Sequence, residues 1–214
     1  MTVKMRENRM FKQTTLSQTV YIQTDVESLQ SKNNITSDNF FTYIIPEQEY
    51  MCIFNKLFSL DPIFAEAFPE LEGSGIKIKI TGEKWCGACY DFTQKAIRFS
   101  GPNNIKSSLE TLCQIMFHEL THALQYLTRD IPYGERSADV YCITRLPIWI
   151  IRDAKNFSYI SIPSKVKSDH PKEVKQLAKE AITKRSQGLR NYLVWFESEV
   201  NKLKDVHLNG GNQE

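Results

Sequence analysis

An α+β fold is predicted by three observations. Ile76-Lys-Ile-Lys-Ile80 alternates strictly between apolar and charged residues, the mark of a half-buried strand. Two more strand-like runs follow before residue 100, and long stretches on both sides of this block repeat apolar residues at helical spacing. The chain has 214 residues, 41% of them hydrophobic, enough for one domain with a full core.

Taken in order, residues 1–40 are polar, rich in Thr, Ser, Gln and Asn, and read as a loosely ordered leader ahead of a single domain spanning 41–214. Pro46, followed by Glu47, Glu49, Tyr50, Ile53, Leu57 and Phe58, opens an amphipathic helix. Asp61-Pro62 is a turn leading to a short second helix through Phe64, Ala67 and Phe68. After the 76–80 strand, Ala88–Phe92 and Ala96–Ser100 flank Thr93-Gln-Lys95 and form a hairpin, so a small, mostly antiparallel sheet is expected. Gly101-Pro-Asn-Asn104 reads as a loop, and Ser107-Ser-Leu-Glu110 has the spacing of a capping box. The helix it opens carries Leu109, Leu112, Cys113, Met116, Leu120, Ala123, Leu124 and Leu127 on one stripe and ends near Arg129. Asp130-Ile-Pro132 is a turn, and a further helix from about Gly134 stops at Leu146 before Pro147. A mixed stretch over 148–168 precedes a helical C-terminal section, residues 169–206, with a break near Gly188.

Charge and cysteine content bound the function. A net charge of +2 calls for no nucleic-acid or membrane partner. The densest apolar run, Leu146-Pro-Ile-Trp-Ile-Ile151, is far short of the roughly 20 residues a membrane span needs. The polar N-terminus has no apolar signal core, and the five cysteines are odd in number and scattered, so a cytoplasmic protein is expected.

The chemistry concentrates in Phe117-His-Glu-Leu-Thr-His-Ala123, in the middle of the capped helix. His118 and His122 are four residues apart, so their rings leave the same helix face one turn apart and can reach one zinc ion. Glu119 sits at the margin of that face, placed to take a proton from a water that zinc activates. Positions 125 and 128 are Gln and Thr, which excludes the HExxHxxGxxH pattern. The next histidine, His170, lies beyond an unrelated helix, so Glu135 and Asp139, one turn apart on the following helix, are the better sources of a third ligand. The helix rises roughly 9 Å from His122 to Thr128, and residues 129–135 can return that distance in an antiparallel helix pair.

HELTH followed by ExxxD on the next helix resembles the gluzincin branch of zinc peptidases. The strand-then-helix layout over residues 76–146 is similar to the small minigluzincin and SprT-like proteins. The resemblance implies a zincin-like fold and zinc-dependent hydrolysis of peptide bonds in a peptide or protein substrate. It makes Glu135 the third ligand and Asp139 the partner that orients His118. In these families an edge strand above the cleft pairs with extended substrate. The spacing from His122 to Glu135 is short for a gluzincin and the third histidine usual in SprT-like proteins is missing; a different start to the second helix would make Asp139 the ligand instead. An oxyanion donor is also required. Tyr133, Tyr141, Arg136, His170 and His207 are candidates, with Tyr133 favoured by its loop and His207 by the downstream placement common in gluzincins. Between residues 165 and 205 there are ten Lys or Arg against six Asp or Glu. That reads as a solvated helical face, and the SprT-like resemblance alone adds nucleic-acid association.

Two other classes compete. Trp85-Cys86-Gly-Ala-Cys89 approaches the WCGxC pair of thiol–disulfide oxidoreductases, but the residues after it read as a hairpin, not as a helix that would lower a thiol pKa. A non-catalytic interaction protein that keeps zinc for structure would have no need of Glu119.

Overall fold

The ordering of Ile76, Ile78 and Ile80 toward one side builds the centre of the fold: all three are buried, whereas Lys77 between them is exposed. The computed structural model describes residues 34–35, 40–85, 87–153 and 157–204. Its strands are β1 (Asn34–Ile35), β2 (Thr42–Ile44), β3 (Lys77–Thr81), β4 (Ala88–Asp91) and β5 (Ala96–Ser100). Helices α1 (Met51–Ser59) and α2 (Asp61–Ala67) connect β2 to β3. After the sheet come α3 (Gly101–Asn104), α4 (Leu109–Thr128), α5 (Glu135–Arg145), α6 (Ile148–Asp153), α7 (Ser164–Asp169), α8 (Pro171–Ser186) and α9 (Tyr192–Lys202).

The sheet is mixed, not mostly antiparallel. Strand order is β1-β2-β3-β5-β4, with β1–β2 and β4–β5 antiparallel and β2–β3 and β3–β5 parallel. The expected hairpin forms, but its second strand inserts beside β3 and its first strand is pushed to the edge. The crossover through α1 and α2 likewise brings β3 back parallel to β2. Period-two alternation reports which face of a strand is buried and carries nothing about the neighbour's direction. Apart from β1, the leader up to residue 39 lies outside the described residues, and so does any covering of the cleft by it.

Local chemistry moved other boundaries. Gly101–Asn104 is a turn of helix because Gly101 can lie against Tyr50, where a Cβ would come within 2.5 Å of the ring. Ser107 closes that turn, its N–H donating to Asn104 O at 2.9 Å, so the cap of α4 passes to Ser108, whose hydroxyl accepts from Thr111 N at 3.2 Å. In the 148–168 stretch, α6 and α7 are six residues each, too short for a periodic signal.

One hydrophobic core runs from Phe41 to Val200. The middle of the α4 stripe is buried within it, from Leu112 and Met116 through Leu120 to Leu124, whereas Leu109 is only partly covered and Leu127, expected on the same stripe, is exposed because the last turn of the helix runs past the core. Each large aliphatic side chain there contributes about 1.5–3 kcal/mol. Helix α5 is covered on several sides: Ala138, Val140, Cys142 and Ile143 are all buried, and Tyr192 of α9 donates to the Ser137 hydroxyl at 2.9 Å. Lys175 donates to Leu146 O at 2.6 Å beyond the end of α5, and Arg145 pairs with Glu70 at 2.8 Å. No helix among the described residues is long and apolar enough to cross a membrane.

Buried Asp61 ties the N-terminal side together by accepting from Tyr43 Oη and from Phe40 N, both at 2.8 Å. Removing it takes the acceptor from the Phe40 amide and leaves the buried phenol only the long contact to Leu57 O at 3.4 Å. Asp61→Ala is therefore expected to lower stability by about 2 kcal/mol and Tyr43→Phe by about 1 kcal/mol in urea denaturation.

Candidate metal centre

His118 and His122 project from one face of α4, as their spacing requires, and Glu135 at the first position of α5 meets them. His118 Nε2 lies 3.0 Å from Glu135 Oε2, His122 Nε2 lies 3.1 Å from the same oxygen, and the two Nε2 atoms are 3.1 Å apart. Tetrahedral zinc with bonds of 2.0–2.1 Å would separate its ligand atoms by about 3.3 Å, close to this triangle.

The outer ring nitrogens explain why the triangle is a cation site. His118 Nδ1 is 2.8 Å from Asp139 Oδ1, and His122 Nδ1 is 2.7 Å from Gln125 Oε1. The amide of Gln125 is oriented by its own nitrogen, which donates to Pro132 O at 2.6 Å and Gly134 O at 3.3 Å. Both Nδ1 atoms thus face oxygens that accept, which places a proton on Nδ1 and turns Nε2 of each ring inward, where a neutral imidazole would present its lone pair. Two lone pairs and a carboxylate oxygen then converge on one point, an arrangement that a positive charge must hold together. His118, His122 and Glu135 are accordingly a group that can hold a metal ion.

Without a metal, a proton can supply that charge. Burial opposes it, but the hydrogen bond and field of Asp139, with Glu119 and Glu135, push the His118 pKa up to about 9. Glu135, partly desolvated, is nevertheless held below the ordinary carboxylate range by the two imidazoles. Glu119 moves the other way: burial raises its pKa against the histidines and against the Tyr90 backbone hydrogen bond. It is only 7% exposed, on the wall of the same cleft.

The cleft has a volume of about 730 Å³. Its walls are β4 on one side, α4 along the floor, and Tyr133 and Tyr159 toward the rim. The edge strand beside the site is thus β4; Ala96–Ser100 is interior, paired on both sides. Among the described residues no Lys or Arg lines the cleft, whereas Phe92, Tyr126, Tyr133 and Tyr159 do, each 45–66% exposed.

Of the sequence candidates, His118, Glu119, His122, Glu135 and Asp139 are brought together. Glu135 is the residue that touches both imidazoles, and Asp139 stands behind His118, which separates the two carboxylates the spacing alone left open. Tyr133 reaches the cleft. Tyr141 faces Arg185 at 3.5 Å, Arg136 pairs with Glu197 at 2.7 Å, and His170 lies 3.9 Å from Glu173; none of these lines the cleft. His207 lies outside the described residues. So does Cys86, while Cys89 stands in β4 with no helix after it. Sequence reasoning missed Gln125 and Tyr159. Gln125 follows His122 by three residues on the same helix face, a signal that was available. Tyr159 is in an irregular loop with no such signal; its ring stacks on His118 at 5.8 Å and 19°, and its N–H donates to Asp139 Oδ2 at 2.9 Å.

No protein-family model, no curated protein and no solved structure matches the chain.

A metal entering this site must displace the His118 proton. The charge on His118 favours the metal-free fold below about pH 9, and that contribution is lost as the pH rises through this value. At pH 7, metal binding should release the His118 proton in addition to what a metal-bound water gives up, and the His118 share should fall toward none by about pH 10. Isothermal titration in buffers of different ionisation enthalpy measures the total; a release well below one proton at pH 7 contradicts it.

Proposed function

We propose that the chain is a zinc-dependent metallopeptidase of gluzincin type, with a zincin-like arrangement of β4, α4 and α5. The observation that carries this reading is the inward-facing triangle of His118, His122 and Glu135 with Glu119 beside it in one cleft. Two imidazoles and one carboxylate are a borderline donor set with three protein ligands and an open cleft side, the pattern of catalytic zinc sites.

When bound, zinc supplies a Lewis acid for a carbonyl oxygen and a nucleophile at neutral pH. The residues divide the remaining work. Asp139 and Gln125 hold the imidazoles in the tautomer with Nε2 free. Glu119 is suited to accept the water proton and return it to the leaving nitrogen, because burial raises its pKa toward the working range. Tyr133 is the candidate that brings a phenol to the cleft for the developing oxyanion.

A polypeptide substrate is supported by the walls. Strand β4 is the end strand of the sheet and borders the cleft, the setting in which extended chains add to a sheet. Exposed aromatic rings, Phe92, Tyr126, Tyr133 and Tyr159, suit apolar peptide segments. Several C-terminal cations are occupied internally: Lys175 on Leu146 O, Arg185 on Tyr141 and Lys184 over Trp195. Nucleic-acid association thus draws no support from them.

Metal analysis and cleavage of unfolded casein test the reading together. The wild-type protein should bind one equivalent of zinc. His122→Ala and Glu135→Ala should lose it, and Asp139→Ala should bind about 10–100-fold more weakly. Glu119→Gln should keep the zinc and lose casein cleavage; cleavage at the wild-type rate by that variant would refute the assignment. A zinc protein that is only structural would show bound metal and no cleavage in any variant. Tyr133→Phe should lower kcat by about 100-fold or more with zinc affinity unchanged.

A further inference from the structure

We infer that Gln125 is a positioning residue that couples the second imidazole to the loop delivering the third ligand. The inference rests on the metal centre proposed above. Gln125 is 2% exposed, and both ends of its amide are committed. Its oxygen accepts from His122 Nδ1 at 2.7 Å, and its nitrogen donates to Pro132 O at 2.6 Å and Gly134 O at 3.3 Å.

Those carbonyls are well chosen for such a link. Gly134 precedes Glu135 and caps the start of α5 without a side-chain hydrogen bond, at φ +112° and ψ 151°, a backbone conformation that side-chain-bearing residues rarely adopt. Glu135 itself is 47% exposed, and its side-chain hydrogen bonds among the described residues go to the two imidazoles. Its placement therefore depends on the backbone before it, and Gln125 ties that backbone to the same helix turn that carries His122.

The two histidines are held by unlike devices. Asp139, on α5, orients His118 and in turn accepts from the Tyr159 amide. Gln125, on α4, orients His122 and reaches across to the loop before α5. One side chain thus sets the direction of one ligand and the position of another. A metal held by both ligands should tighten the loop, and a loosened loop should weaken the metal.

Two substitutions separate the ends of the amide. Gln125→Leu removes both. Gln125→Glu keeps an acceptor for His122 but turns a second oxygen on the Pro132 and Gly134 carbonyls. Zinc affinity is read by competition with a chromophoric chelator, the geometry by the d–d bands of the cobalt(II)-substituted protein, and the loop by amide exchange over residues 129–134. Gln125→Leu is expected to weaken zinc about 10–100-fold, alter the cobalt bands and raise loop exchange in the metal-loaded protein. Gln125→Glu should raise loop exchange as much while weakening zinc less; it carries the test alone if Gln125→Leu does not fold. Variants that bind zinc within twofold of wild type with unchanged cobalt bands overturn the inference, even if the metal-free protein melts at a lower temperature, since that outcome makes Gln125 merely structural. In that case the metal centre stands and only the role of Gln125 falls. A wild-type protein that binds no zinc removes both.

Discussion

Two imidazole nitrogens and a carboxylate oxygen converge within about 3 Å of one another, a cluster that needs a proton or a metal ion to hold it together, and much of this molecule's architecture serves to place them there. The interaction is made between α4 and α5, which pack against each other and are both buried in apolar surroundings, with Leu120, Ala123 and Leu124 buried on one helix and Ala138, Val140 and Ile143 on the other. Packing of that kind is non-directional and strong, so it can force together polar groups that would separate in water. The hydrogen bonds from Asp139 and Gln125 then convert proximity into direction. Neither contribution suffices alone. A packed pair without orienting partners leaves the rings free to turn, and orienting partners without packing have no fixed place from which to act.

The surrounding elements extend this constraint outward. Tyr159 reaches the site because Asp139 accepts its backbone N–H, and Ser161 in the same loop donates to Glu197 at 3.2 Å, a residue that also pairs with Arg136. The loop, α5 and α9 are therefore joined behind His118. On the opposite side, the Tyr90 backbone bonds to Glu119, which links the edge strand to the buried carboxylate. The sheet is thus part of the electrostatics of the cleft, and burial against it contributes to the raised pKa of Glu119. Farther away, Asp61 accepts from Tyr43 and Phe40, tying the start of the domain to α2.

Much of the local structure was legible because it depends on neighbours in sequence. The 76–80 alternation located β3, the His118/His122 spacing set both rings on one face, and Pro147 marked the end of α5 near Arg145. The cap of α4 falls one residue later than the capping-box spacing indicates, since whether Ser107 or Ser108 serves depends on where the preceding turn of helix ends. In the sequence, Gln125 does no more than exclude one ligand pattern. Its i+3 relation to His122 was visible, but the carbonyls that orient its amide belong to a loop whose path no periodicity describes.

By itself the sequence determined the helix that carries His118, Glu119 and His122, the apolar stripe that buries its other face, and a second helix offering two carboxylates one turn apart. These follow from intrahelical geometry, which is set by 3.6 residues per turn and needs no distant partner. Only the tertiary structure decided that Glu135 meets both imidazoles while Asp139 stands behind one, that β4 and not β5 forms the edge beside the cleft, and that Tyr159 reaches His118 from a loop. Each of these depends on chain direction and on how far a loop returns, and both are fixed by packing between elements distant in sequence.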